Sequence, residues 1–414
     1  PFRPDVNNQF TQTDFGLTAG LLTPQGDLNI ISKKFHLPAV IKGSLGADKK
    51  LRNGWTIGFD MVYTKNIFEV DWVNVNFAKP TINTTGPDSR QIYATGGNPT
   101  KLVYRPWSPV ASVRNPYSNI ILLKNSTGQK GFAYNFTVTV DKQQTKKGFG
   151  FNVAYSYGNS QVHNEATSSI NTSNWTNMEA VSTRNSLPLS TSDFDLGHRV
   201  FALVSKKFTY AKEHVSTTIA FSYNGQSGNP YSYTMSNRSF IGDGVTNNDL
   251  MYIPASRSEM DQMTFVTRLS GAAAAVPGAN AADIVAQKDQ FETFILSDKY
   301  LRKHRGQFSE RNGARAPFTN IVDMSITQEF SLKVGKVRHA ISARFDMFNF
   351  TNFLDKNAGR QYFFNFDQAQ VLSFEGFSGT TPTYKFFKPA NNKVGAISDP
   401  ASRWNGQVTI RYSF

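Results

Sequence analysis

Trp404-Asn-Gly-Gln-Val-Thr-Ile-Arg-Tyr-Ser-Phe414 ends the chain, and its reading decides the fold. Trp404, Val408, Ile410, Tyr412 and Phe414 fall on one side of an extended strand, with Gly406 between them. Asn405, Gln407, Thr409, Arg411 and Ser413 fall on the other. A strand that meets lipid on one face and a polar interior on the other must alternate in this way. A strand ending on phenylalanine with aromatics on its apolar side is expected in a transmembrane β-barrel.

The same alternation recurs upstream. Trp55–Thr64 turns out Trp55, Ile57, Phe59, Met61 and Tyr63. Gly131–Asp141 turns out Phe132, Tyr134, Phe136, Val138 and Val140, and Phe149–Gly158 turns out Phe149, Phe151, Val153, Tyr155 and Tyr157. Val215–Gln226, Asn320–Ser331 and His339–Phe350 follow the pattern, and Ala39–Asp48 and His198–Phe208 follow it less cleanly. With the terminal segment these make nine strands. Their connections alternate in length. Leu51-Arg52-Asn53-Gly54 is a tight Asn-Gly turn, and 142–148, 209–214 and 333–336 are also short. Segments 65–130, 159–197, 227–319 and 351–403 are long. Outer-membrane barrels pair short periplasmic turns with long external loops. With the C-terminus periplasmic, counting back from Phe414 puts every short turn inside and every long loop outside. A soluble β-sandwich would explain alternation, but not this asymmetry or the aromatic outward faces.

Composition agrees. Aromatics are 13% of the 414 residues, yet mean hydropathy is only -0.39. Barrels place aromatics at both membrane interfaces and polar residues elsewhere. No run of eighteen apolar residues forms a membrane helix. Cysteine is absent, so no disulfide or thiolate site exists. The net charge of +14 points to an anionic partner, and lipopolysaccharide phosphate facing basic loops fits it. Nucleic acid does not, because the basic residues form no single stripe. Nine is odd, whereas single-chain bacterial barrels have even counts. Residues 1–37 are therefore expected to be an external loop entered from a strand outside the chain. The chain, which opens on Pro1 without a start methionine or signal peptide, is expected to be the C-terminal part of a larger barrel.

Several stretches resemble TonB-dependent receptors, in particular the Oar-like, SusC-related branch common in Bacteroidetes. They are Asp193-Phe-Asp-Leu-Gly-His-Arg-Val200, Ser227-Gly-Asn-Pro-Tyr231 and Gly242-Asp-Gly-Val-Thr-Asn-Asn-Asp-Leu-Met-Tyr-Ile-Pro254. Asp298-Lys-Tyr-Leu-Arg-Lys-His-Arg-Gly306, Glu310-Arg-Asn-Gly-Ala-Arg315 and Phe345-Asp-Met-Phe-Asn-Phe-Thr-Asn352 complete the set. The resemblance implies a barrel of about 22 strands, of which these are the last nine. It also implies a plug and a TonB-binding segment in sequence not present here, and uptake of a substrate too large for porins. Further implied partners are a surface lipoprotein or other outer-membrane subunits. The terminal residues Val408, Ile410, Tyr412 and Phe414 resemble the signal read by the barrel-assembly machinery. The alternative function is a barrel that serves as a structural, assembly or export partner without uptake. A soluble sugar-binding β-protein is a more distant one.

Candidate sites follow from residue type. Asp243, Asn247 and Asp249 carry oxygen ligands of the kind calcium takes, but they lack the spacing of a calcium loop and equally suit side-chain turns. Tyr231 and Tyr233, beside Gly228 and Pro230, and Trp175 in an Asn/Ser/Thr-rich segment are candidates for stacking on sugars or peptide side chains, and interface anchoring explains them equally well. Arg344 and Asp346 face the interior by alternation, with Asp323, Glu329 and Arg411, and suit either substrate contact or mutual pairing. Lys299, Arg302, Lys303, Arg305, Arg311 and Arg315 form a basic stretch after an expected helix at 281–297, whose apolar stripe is Ile284, Phe291, Phe294 and Ile295. Pairing with Asp298 or Glu310 competes there with anion binding. The histidines show no metal-ligand spacing, and no nucleophile or phosphate-loop motif occurs, so an enzyme is not expected.

Overall fold

The computed structural model describes residues 26–77, 79–93, 117–145, 148–268 and 280–414. Most of the expected first loop, residues 1–25, lies outside them. Nine strands form one antiparallel path. They are β1 (Ala39–Lys50), β2 (Trp55–Phe68), β3 (Phe132–Lys142), β4 (Gly150–Val162), β5 (Gly197–Tyr210), β6 (Val215–Gln226), β7 (Thr319–Val334), β8 (Val337–Phe348) and β9 (Asn405–Ser413). Each pairs with the next in sequence order. β1 and β9 end the path, and the two do not pair with each other. Lengths of 9 to 16 residues suit tilted strands that cross a bilayer, which need roughly 9–11.

The register keeps the two faces distinct across the whole sheet. Phe59, Val138, Tyr155 and Val200 lie in one row, as do Ile219, Ile326, Phe345 and Val408. On the opposite face Asp60, Thr137, Ser156 and Arg199 align. A slip of one residue would exchange the faces, so the lipid fixes the register. None of the buried apolar side chains among the described residues belongs to these nine strands. Their apolar groups face outward, where hydrocarbon takes the place of a protein core.

Aromatics gather at both ends of the apolar band. At the end bearing the long connections, Tyr157 lies 5.6 Å from Phe136 and 4.7 Å from His198. At the turn end, Trp55 stacks on Phe151 at 6.1 Å. Lys142 Nζ is 5.0 Å from the Trp55 ring, and Lys206 Nζ is 5.2 Å from that of Phe149. Lysines at this height run an apolar stem beside the rings and carry the charge to the interface. The turn end is also rich in positive charge, with Lys49, Lys50, Arg52, Lys207, Lys212, Lys333, Lys336 and Arg338. The Asn53-Gly54 turn has both residues at positive φ, 61° and 76°, which is the conformation an Asn-Gly hairpin supplies.

The long connections are not simple loops. They fold together into a cap with a water-excluding core. Gly26–Ile31 pairs parallel with Tyr117–Asn125, and Val70–Asn74 pairs antiparallel with its other side. Pro230–Asn237 lies parallel to Gln368–Ser378, which pairs in turn with Thr381–Phe386. Helix α1 (Ala281–Ser297) begins at Asn280, whose side chain accepts from the Asp283 amide at 3.0 Å. It packs Phe291 and Phe294 on Phe386, at 4.9 and 5.9 Å between rings. Gln287 ties it to the strand beneath by accepting from the Phe386 amide at 2.9 Å. Tyr233, Met235, Phe240, Leu372 and Phe374 complete a core with no solvent exposure.

Candidate functional site

The cap meets the polar face of the sheet around a cavity of about 1310 Å³. Arg199 at the start of β5 and Gln226 at the end of β6 form its floor. The segment between β4 and β5 contributes Glu179, Asp193, Phe194 and Asp195. The turn Asn365–Asp367 and the segment 244–248 supply the remaining walls. A second cavity of about 490 Å³ lies behind Glu179, between Gln161, Leu187, Phe308 and Arg311.

Charge in the larger cavity is unbalanced. Four carboxylates line it, those of Glu179, Asp193, Asp195 and Asp367, against the single guanidinium of Arg199. Arg315 pairs with Asp195. Asp193 accepts from the Asn312 amide at 2.6 Å, and Glu179 from Gln368 at 3.1 Å. Neither of these two, nor Asp367, has a salt bridge among the described residues. Burial, and then the negative charge of Asp193, raise the Asp367 carboxyl above its ordinary range. Burial raises Glu179 in the same direction. Glu165, just behind Asp193, is pushed up to about 7 by burial and by Asp193, although it accepts from Ser192 Oγ at 2.9 Å and the Asp193 amide at 3.0 Å. Like charges in a partly dry site disfavour the ionised form of each other.

The turn Asn365–Asp367 is unusual. Phe366 has φ 52° and Asp367 φ 51°. Two successive side-chain-bearing residues in the left-handed region are costly, and a phenylalanine there is a true outlier. The turn leaves the Phe366 ring 84% exposed, and across the same cavity Phe194 is 72% exposed.

Several expected site residues lie elsewhere. Tyr231 and Tyr233 are buried, and this corrects their reading as substrate platforms. Tyr231 stacks on Phe364 at 3.9 Å, and the Tyr233 hydroxyl donates to Asp298 at 2.9 Å. Trp175 is likewise a core residue, stacked on Phe77 at 5.4 Å with its indole N–H donated to Asn185 at 2.9 Å. All three sit in segments that fold into the cap, so their rings have no free face. Asp243, Asn247 and Asp249, the weak calcium candidates, have other partners. Arg184 lies between the two carboxylates, bonded to Asp243 and at 3.1 Å from Asp249, and occupies the place a cation would take. Asn247 accepts from the Asn237 amide at 3.1 Å and lines the large cavity. Arg344 and Asp346 pair with each other at 2.7 Å on the polar face and do not line the cavity. In the basic stretch, Arg305 pairs with Glu292 and Arg315 with Asp195, while Arg311 donates to the carbonyls of Val162 and His163 at 2.6 Å each. Lys299, Arg302 and Lys303 remain exposed. Val408, Ile410, Tyr412 and Phe414 are exposed on the outward side of the last strand and beyond it.

Phe194, Phe366, Glu179 and Asp367 escaped the sequence reading. Asp193 and Phe194 open the stretch Asp193–Val200, but nothing in its residues marks them as cavity residues. A strained Phe366 has no signature in sequence.

A sheet with one continuous apolar face, two aromatic belts and long connections at one end defines a membrane β-barrel. The family model for the outer membrane beta barrel domain matches residues 2–357, and the chain belongs to that family. No curated protein and no solved structure matches the chain.

Proposed function

We propose that the chain forms part of a TonB-dependent outer-membrane transporter, with the capped end outside the cell and the short turns in the periplasm. The observation that carries this reading is the large cavity at the junction of cap and sheet. Its floor residues Arg199 and Gln226 stand on strands whose polar rows continue toward the turn end. A cargo held there would already lie against the interior face of the barrel. A porin needs only a polar channel, whereas this chain folds its connections into a cap with its own core. The motifs shared with TonB-dependent receptors support the same reading.

Uptake in cells tests it. Labelled mixtures of peptides and oligosaccharides would be offered to wild-type cells, to a strain lacking this protein and to cells without proton-motive force. Loss of one component's uptake in both of the latter is expected. Uptake unchanged by either treatment, together with stable co-purifying outer-membrane proteins, would favour a structural or export partner instead.

A further inference from the structure

We infer that the large cavity binds a cationic, peptide-like ligand through two Phe–Asp pairs, Asp193–Phe194 and Phe366–Asp367. This rests on reading the cavity as the place where cargo is held, and it names the chemistry of that cargo.

The two pairs come from connections far apart in sequence, one between β4 and β5 and the other between β8 and β9. Both line the same space. Each offers a carboxylate with no salt bridge among the described residues, next to an exposed ring, although Asp193 feels the charge of buried Arg311. Carboxylate and aromatic face together suit an ammonium or guanidinium group, because the ring's negative face adds to the ion pair. The protein as a whole carries +14, so a net negative lining runs against its average. An anionic ligand would meet like charge here. A neutral sugar could also donate hydroxyls to these carboxylates, but it would bring no positive charge to the negative lining.

The walls add a second kind of recognition. The side chains of Asn177, Asn229 and Gln226 line the cavity with no hydrogen bond to another described residue. Each amide presents a donor and an acceptor, which matches the N–H and C=O of a peptide backbone. The left-handed turn at Phe366 and Asp367 places ring and carboxylate side by side at the cost of strain, as backbones at binding sites often do.

The test is calorimetric binding to the full-length protein in detergent, at low and moderate salt. The probes are tetralysine, its side-chain-acetylated form and maltotetraose. Tetralysine is expected to bind, and the acetylated peptide to bind at least about tenfold more weakly, a difference of one carboxylate–cation contact. The double variant D193N/D367N is expected to lose about tenfold or more for tetralysine, and F366A a smaller factor, with heat-modifiable migration unchanged in both. Binding should weaken as salt rises. Equal binding of the acetylated peptide, preference for maltotetraose, no binding of any probe, or unchanged affinity in D193N/D367N would each overturn the proposal. Binding of tetralysine by a protein that supports no uptake would sink the transport reading and leave this one standing.

Discussion

The nine-stranded sheet and the cap use the same residue types for opposite ends. In the sheet, Phe59, Val138, Val153, Phe221, Phe345 and Val408 are exposed. In the cap, Phe240, Phe291, Phe374 and Phe386 are sealed from solvent. The difference lies in the surroundings. Lipid surrounds the sheet's apolar face, so burying it within the protein would gain little. Water surrounds the cap, so its aromatics gain by withdrawing from it. The sheet is held by strand register and lipid, the cap by a packed core and buried ion pairs. Damage to one should therefore leave the other largely intact.

The largest separation is expected at Arg184. Its guanidinium is fully buried, donates to the Met178 carbonyl at 2.8 Å and neutralises Asp243 and Asp249. Arg184→Met strands two carboxylates in a dry site and should destabilise the cap by about 3–5 kcal/mol, the usual cost of breaking a buried ion pair. Hydrogen exchange should rise across 178–184 and 239–251, while β1 to β9 keep their protection. A uniform loss of protection in both regions would show that they fold as one unit.

The converse break uses adjacent residues of β3. Val138 points outward beside Phe59 and Tyr155, and Thr139 points inward beside Gly58 and Ala154. Val138→Arg should cost about 2–4 kcal/mol near the middle of the apolar band. Thr139→Arg, on the polar face, should stay within about 1 kcal/mol. The measurement is the fraction of protein in the heat-modifiable, folded form after insertion into lipid. Equal effects at the two positions would mean that the face assignment is wrong.

The same contrast explains what the sequence could disclose. Period-two alternation over ten residues is a strong signal, and all nine strands are legible from it, Ala39–Asp48 and His198–Phe208 less cleanly than the rest. The signal works because one face always meets lipid, so side-chain identity reports orientation directly. The cap offers no such rule. Its apolar runs are short, such as Ile120–Leu123 and Val371–Leu372, and are scattered among Asn, Ser and Thr. They become a core only through contacts between connections hundreds of residues apart, as Tyr384 and Asp88 show by a 2.8 Å hydrogen bond. In sequence, therefore, Tyr231, Tyr233 and Trp175 resemble surface aromatics, and nothing marks Arg184 as the partner of Asp243 and Asp249. The cavity is hidden for the same reason, since its walls come from three separate connections and two strand ends.

The smallest expected effect sharpens the comparison through pH. Glu165 lies in the cap, behind Asp193 and near Arg311, and holds its proton up to about 7 against an ordinary value of 4.5. The unfolded chain releases that proton first. Between these values the folded cap binds more protons than the unfolded chain, so cap stability falls as pH rises. The stabilisation is complete below about 4.5 and lost as pH passes about 7. Its size is of order 1–3 kcal/mol. Exchange protection of the cap should thus decline from pH 5 to pH 8 once intrinsic exchange rates are corrected for. Glu165→Gln, which keeps the shape and cannot ionise, should flatten that decline and leave the sheet unaffected. An undiminished slope in this variant would mean that another group sets the pH response, and Asp367 and Glu179, raised in the same direction by the same burial, would be the next to replace.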